Sequence, residues 1–148
     1  MTRPSRLKHV FVEFIPEVLE DGTLYVSMQY ATVVHSCCCG CGREVVTPLS
    51  PTDWRLTFDG EAISLTPSIG NWSYPCRSHY WIEGNRVRWS YSMSDEEVQV
   101  GRRADGRAKQ TFYDQTTKTP PPDTTTPPKT TAISSGWAKL KAWWRSRA

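Results

Sequence analysis

The chain has 148 residues, with 18 Lys and Arg against 15 Asp and Glu, and a formal net charge of +3. This small excess of positive charge is too mild to argue for nucleic acid by itself, and we expect no nucleic-acid partner. The sequence has no apolar run long enough to span a membrane and no uninterrupted apolar core of a signal peptide, so we expect a cytoplasmic protein.

Strand-like segments occupy the first part of the chain. KHVFVEFI at 8–15 and LYVSMQYATVVHS at 24–36 are rich in β-branched and aromatic residues, which favours two strands. Two hairpins are predicted further on, around Asp59-Gly60 in WRLTFDGEAISL and around Gly84-Asn85 in HYWIEGNRVRWSY. The segment TPSIGNWSYPCRS between the hairpins is predicted to be a loop.

The last part of the chain has a different character. Ser94 and the acidic residues after it can cap a helix, whose length Gly101 and Gly106 limit. TTKTPPPDTTTPPKTT is dense in Pro and Thr and has almost no apolar side chains, which predicts a flexible linker at 113–133. SSGWAKLKAWWRSRA predicts a basic, aromatic, amphipathic helix at 134–148, which suits a membrane surface, a partner groove or its own domain.

HSCCCGCG at 35–42 holds four of the five cysteines of the chain, and Cys76 lies apart in PCRSHYW. Thiols stay reduced in the cytoplasm, so clustered cysteines favour a metal site over disulfides. Zinc prefers Cys and His ligands, and Gly40 and Gly42 let the backbone bend so that nearby sulfurs converge.

Two ligand sets satisfy tetrahedral zinc. One set is Cys39, Cys41, Cys76 and His79; the other is Cys37, Cys39, Cys41 and Cys76. If the segment is extended, alternate cysteines share one face and Cys38 points away, so Cys38 is the predicted non-ligand. The sequence thus predicts a mainly β fold, or a small α+β fold. Residues 1–112 form a compact antiparallel β domain stapled by structural zinc.

The stretches HSCCCGCGREVVTPLSP, LTPSIGNW and PCRSHYWIEGNRVRW resemble a small bacterial family named BubE, for bacterial ubiquitin-like operons. The resemblance covers residues 8–92. Family members are encoded beside ubiquitin-like proteins and E1- and E2-like enzymes. The family pattern has Pro where this chain has Cys38, which agrees with Cys38 not being a ligand. The resemblance implies a zinc-carrying, serine-type peptidase that processes or removes a ubiquitin-like protein.

Hydrolysis needs a nucleophile and a base. If zinc takes four sulfurs, His79 is free to act as the base, and Ser68 in TPSIG is the candidate nucleophile. If His79 is a zinc ligand instead, the serine mechanism has no base. We take Glu17 as the third member of the triad, although the spacing does not choose it over the other acidic residues Glu13, Glu44, Asp53 and Glu61. A Cys38 nucleophile is disfavoured because neighbouring thiolates would raise its pKa.

The second hypothesis is a zinc-stapled module that binds the ubiquitin-like protein or its E2-like enzyme without cleaving anything. Trp72 and Tyr74 on the predicted loop, with Ile69, are the candidate substrate-binding residues. A groove beside them would accept the extended tail of the ubiquitin-like protein as an added strand. A catalytic zinc with an open water position ranks behind both hypotheses, since sulfur-rich ligand sets mark structural zinc.

Overall fold

The computed structural model describes residues 3–118, with side chains up to 117. The chain divides into two units, Met1–Thr116 and Thr117–Ala148. The first unit, with the adjoining end of its helix, is described here. The predicted linker beyond residue 118 and the predicted helix at 134–148 lie outside the described residues.

The described part of the chain is mainly β, as the sequence predicts. Two four-stranded sheets, in the orders β1-β2-β3-β4 and β5-β6-β7-β8, are followed by a helix. All strand pairs are antiparallel except β1 with β2, which is parallel. The elements are β1 (Lys8–Phe11), β2 (Thr23–Ser27), β3 (Thr32–Ser36), β4 (Glu44–Pro48), β5 (Arg55–Phe58), β6 (Ile63–Gly70), β7 (His79–Glu83), β8 (Arg86–Trp89) and α1 (Asp95–Lys118).

The segment predicted as one strand at 24–36 is two strands, β2 and β3, joined by a tight turn. Ala31 in this turn has φ of 46°, and the Ser27 hydroxyl accepts the Tyr30 N–H at 3.4 Å. The turn has no Gly, Pro, Asn or Asp, so the residues that usually reveal a reversal of the chain are missing here. Strand propensity alone therefore predicted one long strand.

Both predicted hairpins are present, as β5–β6 and β7–β8. In the first turn, the Asp59 carboxylate accepts the N–H groups of Glu61 and Ala62. β6 is longer than predicted, because it continues to Gly70 with a register irregularity between Leu65 and Ile69. The TPSIG part of the predicted loop is therefore strand.

The two sheets share one core. β2, β3 and β4 contribute aliphatic side chains, and β6 and β7 contribute others together with the fully buried Tyr80. Burial of each large aliphatic side chain contributes about 1.5–3 kcal/mol, which holds the sheets against each other. The buried set includes Leu24, Val26, Val33, Val45, Ile63, Leu65, Ile69 and Ile82.

Helix α1 begins with the predicted cap but is longer than predicted. The Ser94 N–H donates to the Glu97 carboxylate at 2.8 Å, and the Glu97 N–H donates to the Ser94 hydroxyl at 3.2 Å. This reciprocal pair is a capping box. The helix continues through Gly101 and Gly106 to Lys118, so the first residues of the predicted linker, 113–118, are helical.

Contacts with the β domain offset the cost of the two glycines, about 1 kcal/mol each. Val98 is buried, and Lys109 Nζ lies 2.7 Å from the Asp53 carboxylate. Arg77 forms an ion pair with Asp95 in the first turn at 2.8 Å. In residues 3–118 no helix combines the length and apolar character needed to cross a membrane.

Candidate catalytic and metal centre

Neighbouring strands bring Ser68 and His79 together. β6 carries Ser68, β7 begins at His79, and the two strands pair at Gly70↔His79. His79 Nε2 lies 3.0 Å from Ser68 Oγ, a hydrogen-bonding distance. Ser68 sits in the irregular stretch of β6 between Leu65 and Ile69. Such bulges re-aim side chains and are frequent beside active sites.

The other ring nitrogen of His79 faces a backbone carbonyl. Nδ1 lies 3.0 Å from the Tyr91 oxygen. A carbonyl oxygen only accepts, so the neutral ring carries its hydrogen on Nδ1. Nε2 is then free to accept the Ser68 hydroxyl hydrogen, which is the tautomer that a general base needs.

The Tyr91 carbonyl takes the place that the sequence prediction gave to Glu17. Glu17 is an exposed residue in the segment between β1 and β2. The sequence prediction considered only acidic side chains, whereas the partner of His79 Nδ1 in the structure is a backbone carbonyl. Every residue has a backbone carbonyl, so no sequence signal points to Tyr91.

Trp72 packs directly on the imidazole. The ring centroids of Trp72 and His79 are 5.0 Å apart at an interplanar angle of 60°. A Cβ on Gly70 would lie 2.3 Å from Trp72 Nε1, so the indole covers this glycine. The Arg77 guanidinium also contacts the indole, with its central carbon 5.8 Å from the ring centroid. Trp72 therefore restrains His79 and also lines the cleft that contains Ser68.

A cleft of about 370 Å³ opens over Ser68. β6 and β7 supply one wall, and α1 supplies the facing wall through Val98, Gly101 and Arg102. The volume lies within the range of small-ligand sites in proteins. A reacting group in this cleft has direct access to the Ser68–His79 pair.

Four cysteine sulfurs converge beside this pair, all within 4.8 Å of one another. Gly40 and Gly42 have φ of 82° and 71°, a left-handed conformation that glycine adopts without strain. The cysteine segment is therefore a turn, and not the extended stretch assumed from the sequence. The four sulfurs belong to Cys37, Cys39, Cys41 and Cys76.

The spacing of the sulfurs fits a tetrahedral metal ion. Cys37 Sγ lies 3.4 Å from Cys39 Sγ and 4.0 Å from Cys76 Sγ, and Cys41 Sγ lies 3.8 Å from Cys76 Sγ. Metal–sulfur bonds of about 2.3 Å in a tetrahedron place the sulfurs about 3.8 Å apart. These residues can hold a metal ion in the all-sulfur arrangement, and His79 stays outside it.

The thiols differ in their acidity. Burial opposes ionisation of Cys76, but its hydrogen bonds with Ser78 and with the neighbouring thiols outweigh burial and lower its pKa to about 7. Burial raises the pKa of Cys37 and Cys39 above the ordinary range, so a cation is needed to ionise them. Burial also raises the pKa of Cys38 to about 12, and this thiol lies outside the cluster in the core.

A buried polar network joins the cysteine cluster to the strands that carry Ser68 and His79. Asn71 Nδ2 donates to Ser78 Oγ at 2.9 Å, and Ser78 Oγ lies 3.2 Å from Cys37 Sγ. Asn71 follows Gly70 and Ser78 precedes His79, so the network restrains the ends of β6 and β7. Asn71 was not among the predicted site residues, because a single Asn beside a Gly is typical of an ordinary turn.

Two of the predicted substrate-binding residues lie elsewhere. The Ile69 side chain is only 2% exposed and belongs to the core, and Ile69 is not among the residues that line the cleft over Ser68. The Tyr74 hydroxyl donates to the Glu44 carbonyl, and its ring packs against the core and Arg43. Tyr74 thus anchors the loop before Cys76.

Serine hydrolases have a serine hydroxyl that is hydrogen-bonded to an imidazole, and a second hydrogen-bond acceptor that orients the ring. The chain belongs to the BubE family, described as a bacterial ubiquitination-like system serine protease, and the match covers residues 11–90. This confirms the resemblance seen in the sequence. No curated protein and no solved structure matches the chain.

Proposed function

We propose that this protein is a serine peptidase or isopeptidase that processes or deconjugates a bacterial ubiquitin-like protein. The observation that carries the proposal is the hydrogen-bonded chain from Ser68 through His79 to the Tyr91 carbonyl. The family description supports the reaction class and the type of pathway. The ubiquitin-like protein is the proposed substrate, and E1- and E2-like enzymes of the same operon are proposed partners.

The residues act in a fixed order. Ser68 Oγ bonds to the substrate carbonyl carbon while its proton moves to His79 Nε2. The bond to the leaving group breaks, and the leaving group takes that proton. Water then repeats the sequence at the acyl carbon and frees Ser68. The Tyr91 carbonyl keeps the ring in position throughout and accepts Nδ1–H, although it stabilises the imidazolium less than a carboxylate would.

We assign structural zinc to Cys37, Cys39, Cys41 and Cys76. Bound there, zinc supplies a cross-link and no reaction chemistry, because four thiolates leave no position for water. Through Ser78 and Asn71 the site fixes the strand ends that carry the catalytic pair. The peptidase and the non-catalytic binding module differ only in whether Ser68 attacks the substrate carbonyl. Ser68 is therefore the residue to test.

The test compares Ser68→Ala with wild type and with Ser92→Ala, an exposed serine in the adjacent cavity beside His79. The substrate is a ubiquitin-like protein of the kind encoded beside members of the family, fused at its C-terminus to a reporter. We expect Ser68→Ala to lose about a thousandfold or more in cleavage rate. We expect Ser92→Ala to behave as wild type.

A fluorophosphonate reagent provides a second measurement that does not depend on the chosen substrate. It should label wild type and Ser92→Ala, and Ser68→Ala should stay unlabelled. If Ser68→Ala cleaves as fast as wild type, the serine mechanism is wrong. If wild type neither cleaves nor is labelled but binds the ubiquitin-like protein, the protein is the non-catalytic module.

A further inference from the structure

The strand that carries Ser68 has an edge that its neighbour leaves uncovered. The last pair between β5 and β6 is Arg55↔Thr66. Beyond it the chain of β5 turns away, because Trp54 bridges to Leu49 outside this sheet. β6 itself continues to Gly70. Among the described strands, only β7 pairs with residues 67–70, so one side of this stretch is open.

The backbone of Gly70 faces that open side. The Asn71 N–H donates to the Ser78 carbonyl at 2.9 Å, which makes Asn71 and Ser78 a hydrogen-bonded pair. The His79 carbonyl accepts the Ser90 N–H at 2.9 Å and so points to the other neighbour of β7. Pairs alternate along an antiparallel ladder, so Gly70↔His79 is a non-hydrogen-bonded pair. The N–H and C=O of Gly70 therefore point away from β7, toward the cleft.

Helix α1 stands across the cleft from this edge. Gly101 lines the cleft, and a Cβ added to Gly101 would meet nothing within 4 Å. Val98 and Arg102 flank it on the same wall. Because α1 begins at Asp95, this wall lies outside residues 11–90, the part of the chain that matches the family.

We propose that the substrate segment leading to the scissile bond adds to the open edge of β6 as an extended strand, pairs with Gly70, and lies against Gly101 of α1. The inference rests on the proposed function, since the scissile carbonyl must reach Ser68 Oγ. The partner is an extended polypeptide segment recognised mainly through its backbone. An exposed strand edge with free N–H and C=O groups is the usual template for such pairing.

The helix offers a matched pair of variants for the test. Gly101→Trp places an indole in the cleft, whereas Gly106→Trp places one on the same helix outside the cleft lining. A Cβ at either glycine would have open space around it, so neither change creates a clash with the domain at that atom. Both changes also raise helix propensity, which keeps helix stability matched.

Binding is measured in the Ser68→Ala background. The probe is a fluorescein-labelled C-terminal segment of a ubiquitin-like protein of the kind encoded beside members of the family. We expect Gly101→Trp to weaken binding at least about tenfold and Gly106→Trp to leave it unchanged. N-methylation of the peptide, one residue at a time, should weaken binding at alternate positions near the scissile end. Equal binding by the two helix variants, no effect of any N-methyl group, or no binding by Ser68→Ala itself would overturn the inference.

Fluorophosphonate labelling separates this inference from the proposed function. The reagent is small, so Gly101→Trp with Ser68 intact should still be labelled, which also shows that the variant is folded. If wild type is not labelled but the peptide binds with the expected pattern, the hydrolase proposal fails. The proposal that the peptide pairs with the open edge of β6 is then retained. If wild type is labelled but Gly101→Trp and Gly106→Trp bind the peptide equally well, the proposal of strand pairing at β6 fails. The hydrolase proposal is then retained.

Discussion

At the scale of single residues, burial decides which titratable groups can act. His79 lies between two cavities and keeps both ring nitrogens in hydrogen bonds. His35 is buried in the core at 1% exposure, and its Nε2 lies 2.9 Å from the Tyr80 hydroxyl. Its Nδ1 is buried with no partner among the described residues. The same side-chain type therefore lines accessible cavities in one place and is a neutral core residue in the other.

His35 predicts an acid sensitivity of folding. Burial lowers its pKa to about 4 from the ordinary 6.5. The unfolded chain binds a proton on this ring below pH 6.5, whereas the folded chain does so only near pH 4, so acid favours unfolding across this window. We expect the free energy of unfolding to fall by about 3 kcal/mol from pH 7 to pH 4 through this group.

The measurement is denaturant unfolding at a series of pH values for wild type and His35→Gln. Glutamine places an amide near the position of Nε2, so Tyr80 keeps a partner. Acid also protonates the cysteine cluster, but this affects both proteins equally and cancels in the difference. If the variant shows the same loss between pH 7 and pH 4 as wild type, His35 is not the responsible group.

At the scale of elements, α1 converts a β domain with an open face into one with a cleft. Its first turn is tied to the loop before β7 by Arg77, and its middle is tied to the segment before β5 by Lys109 and Asp53. The hydrogen bond from Lys109 is the largest cause that holds the pKa of Asp53 below its ordinary 3.8, followed by that from Ser50. The ion pair is partly exposed, so its contribution is modest.

We expect Lys109→Ala to destabilise the docking of α1 by about 0.5–1 kcal/mol. Amide hydrogen exchange of the helix should speed up while the sheet amides stay protected. Arg103→Ala, which removes an exposed positive charge from the same helix, is the control. Ionised Asp53 stabilises the docked helix fully above pH 3.8, and this stabilisation is lost as pH falls through the lower pKa of the folded state. The exchange rates of the two variants should therefore converge in acid. Equal amide exchange of the helix in Lys109→Ala and Arg103→Ala at neutral pH would show that Lys109 does not hold α1 on the domain.

At the scale of the whole molecule, the cysteine cluster joins the two sheets. Three of its residues follow β3 in the first sheet, and Cys76 precedes β7 in the second. A metal ion there closes a loop between distant parts of the chain, which is where a cross-link stabilises most. Ser68 and His79 both lie on the second sheet, so the geometry of this pair depends on the junction.

We expect wild type to contain one equivalent of zinc, Cys76→Ser to lose it, and Cys38→Ser and His79→Ala to keep it. The reason is that, of these three substituted residues, only Cys76 contributes a sulfur to the cluster, while the Cys38 thiol lies in the core and His79 contacts Ser68. Metal content by mass spectrometry, with thermal unfolding of each variant, provides the measurement. Loss of zinc from His79→Ala would make His79 a ligand and remove the base.

The sequence predicted the mainly β fold, the two hairpins and the helix cap, because these depend on local patterns and on turn residues in direct succession. It also singled out Cys37, Cys39, Cys41, Cys76 and His79, since cysteine and histidine are few in this chain and chemically distinctive. It singled out Ser68 by its place between Pro67 and Gly70 in TPSIG. It could not choose between the two ligand sets, because His79 follows Cys76 at a spacing that suits either role.

The tertiary structure decided the rest. The register of β6 against β7 places Ser68 beside His79, the chain after β8 brings the Tyr91 carbonyl to the ring, and α1 closes the cleft. Ile69 proved to be core for the same reason, since side chains alternate across a strand and its neighbour Ser68 took the outer face. Contacts between residues that are far apart in the chain depend on sheet register and packing. Local sequence patterns determine neither.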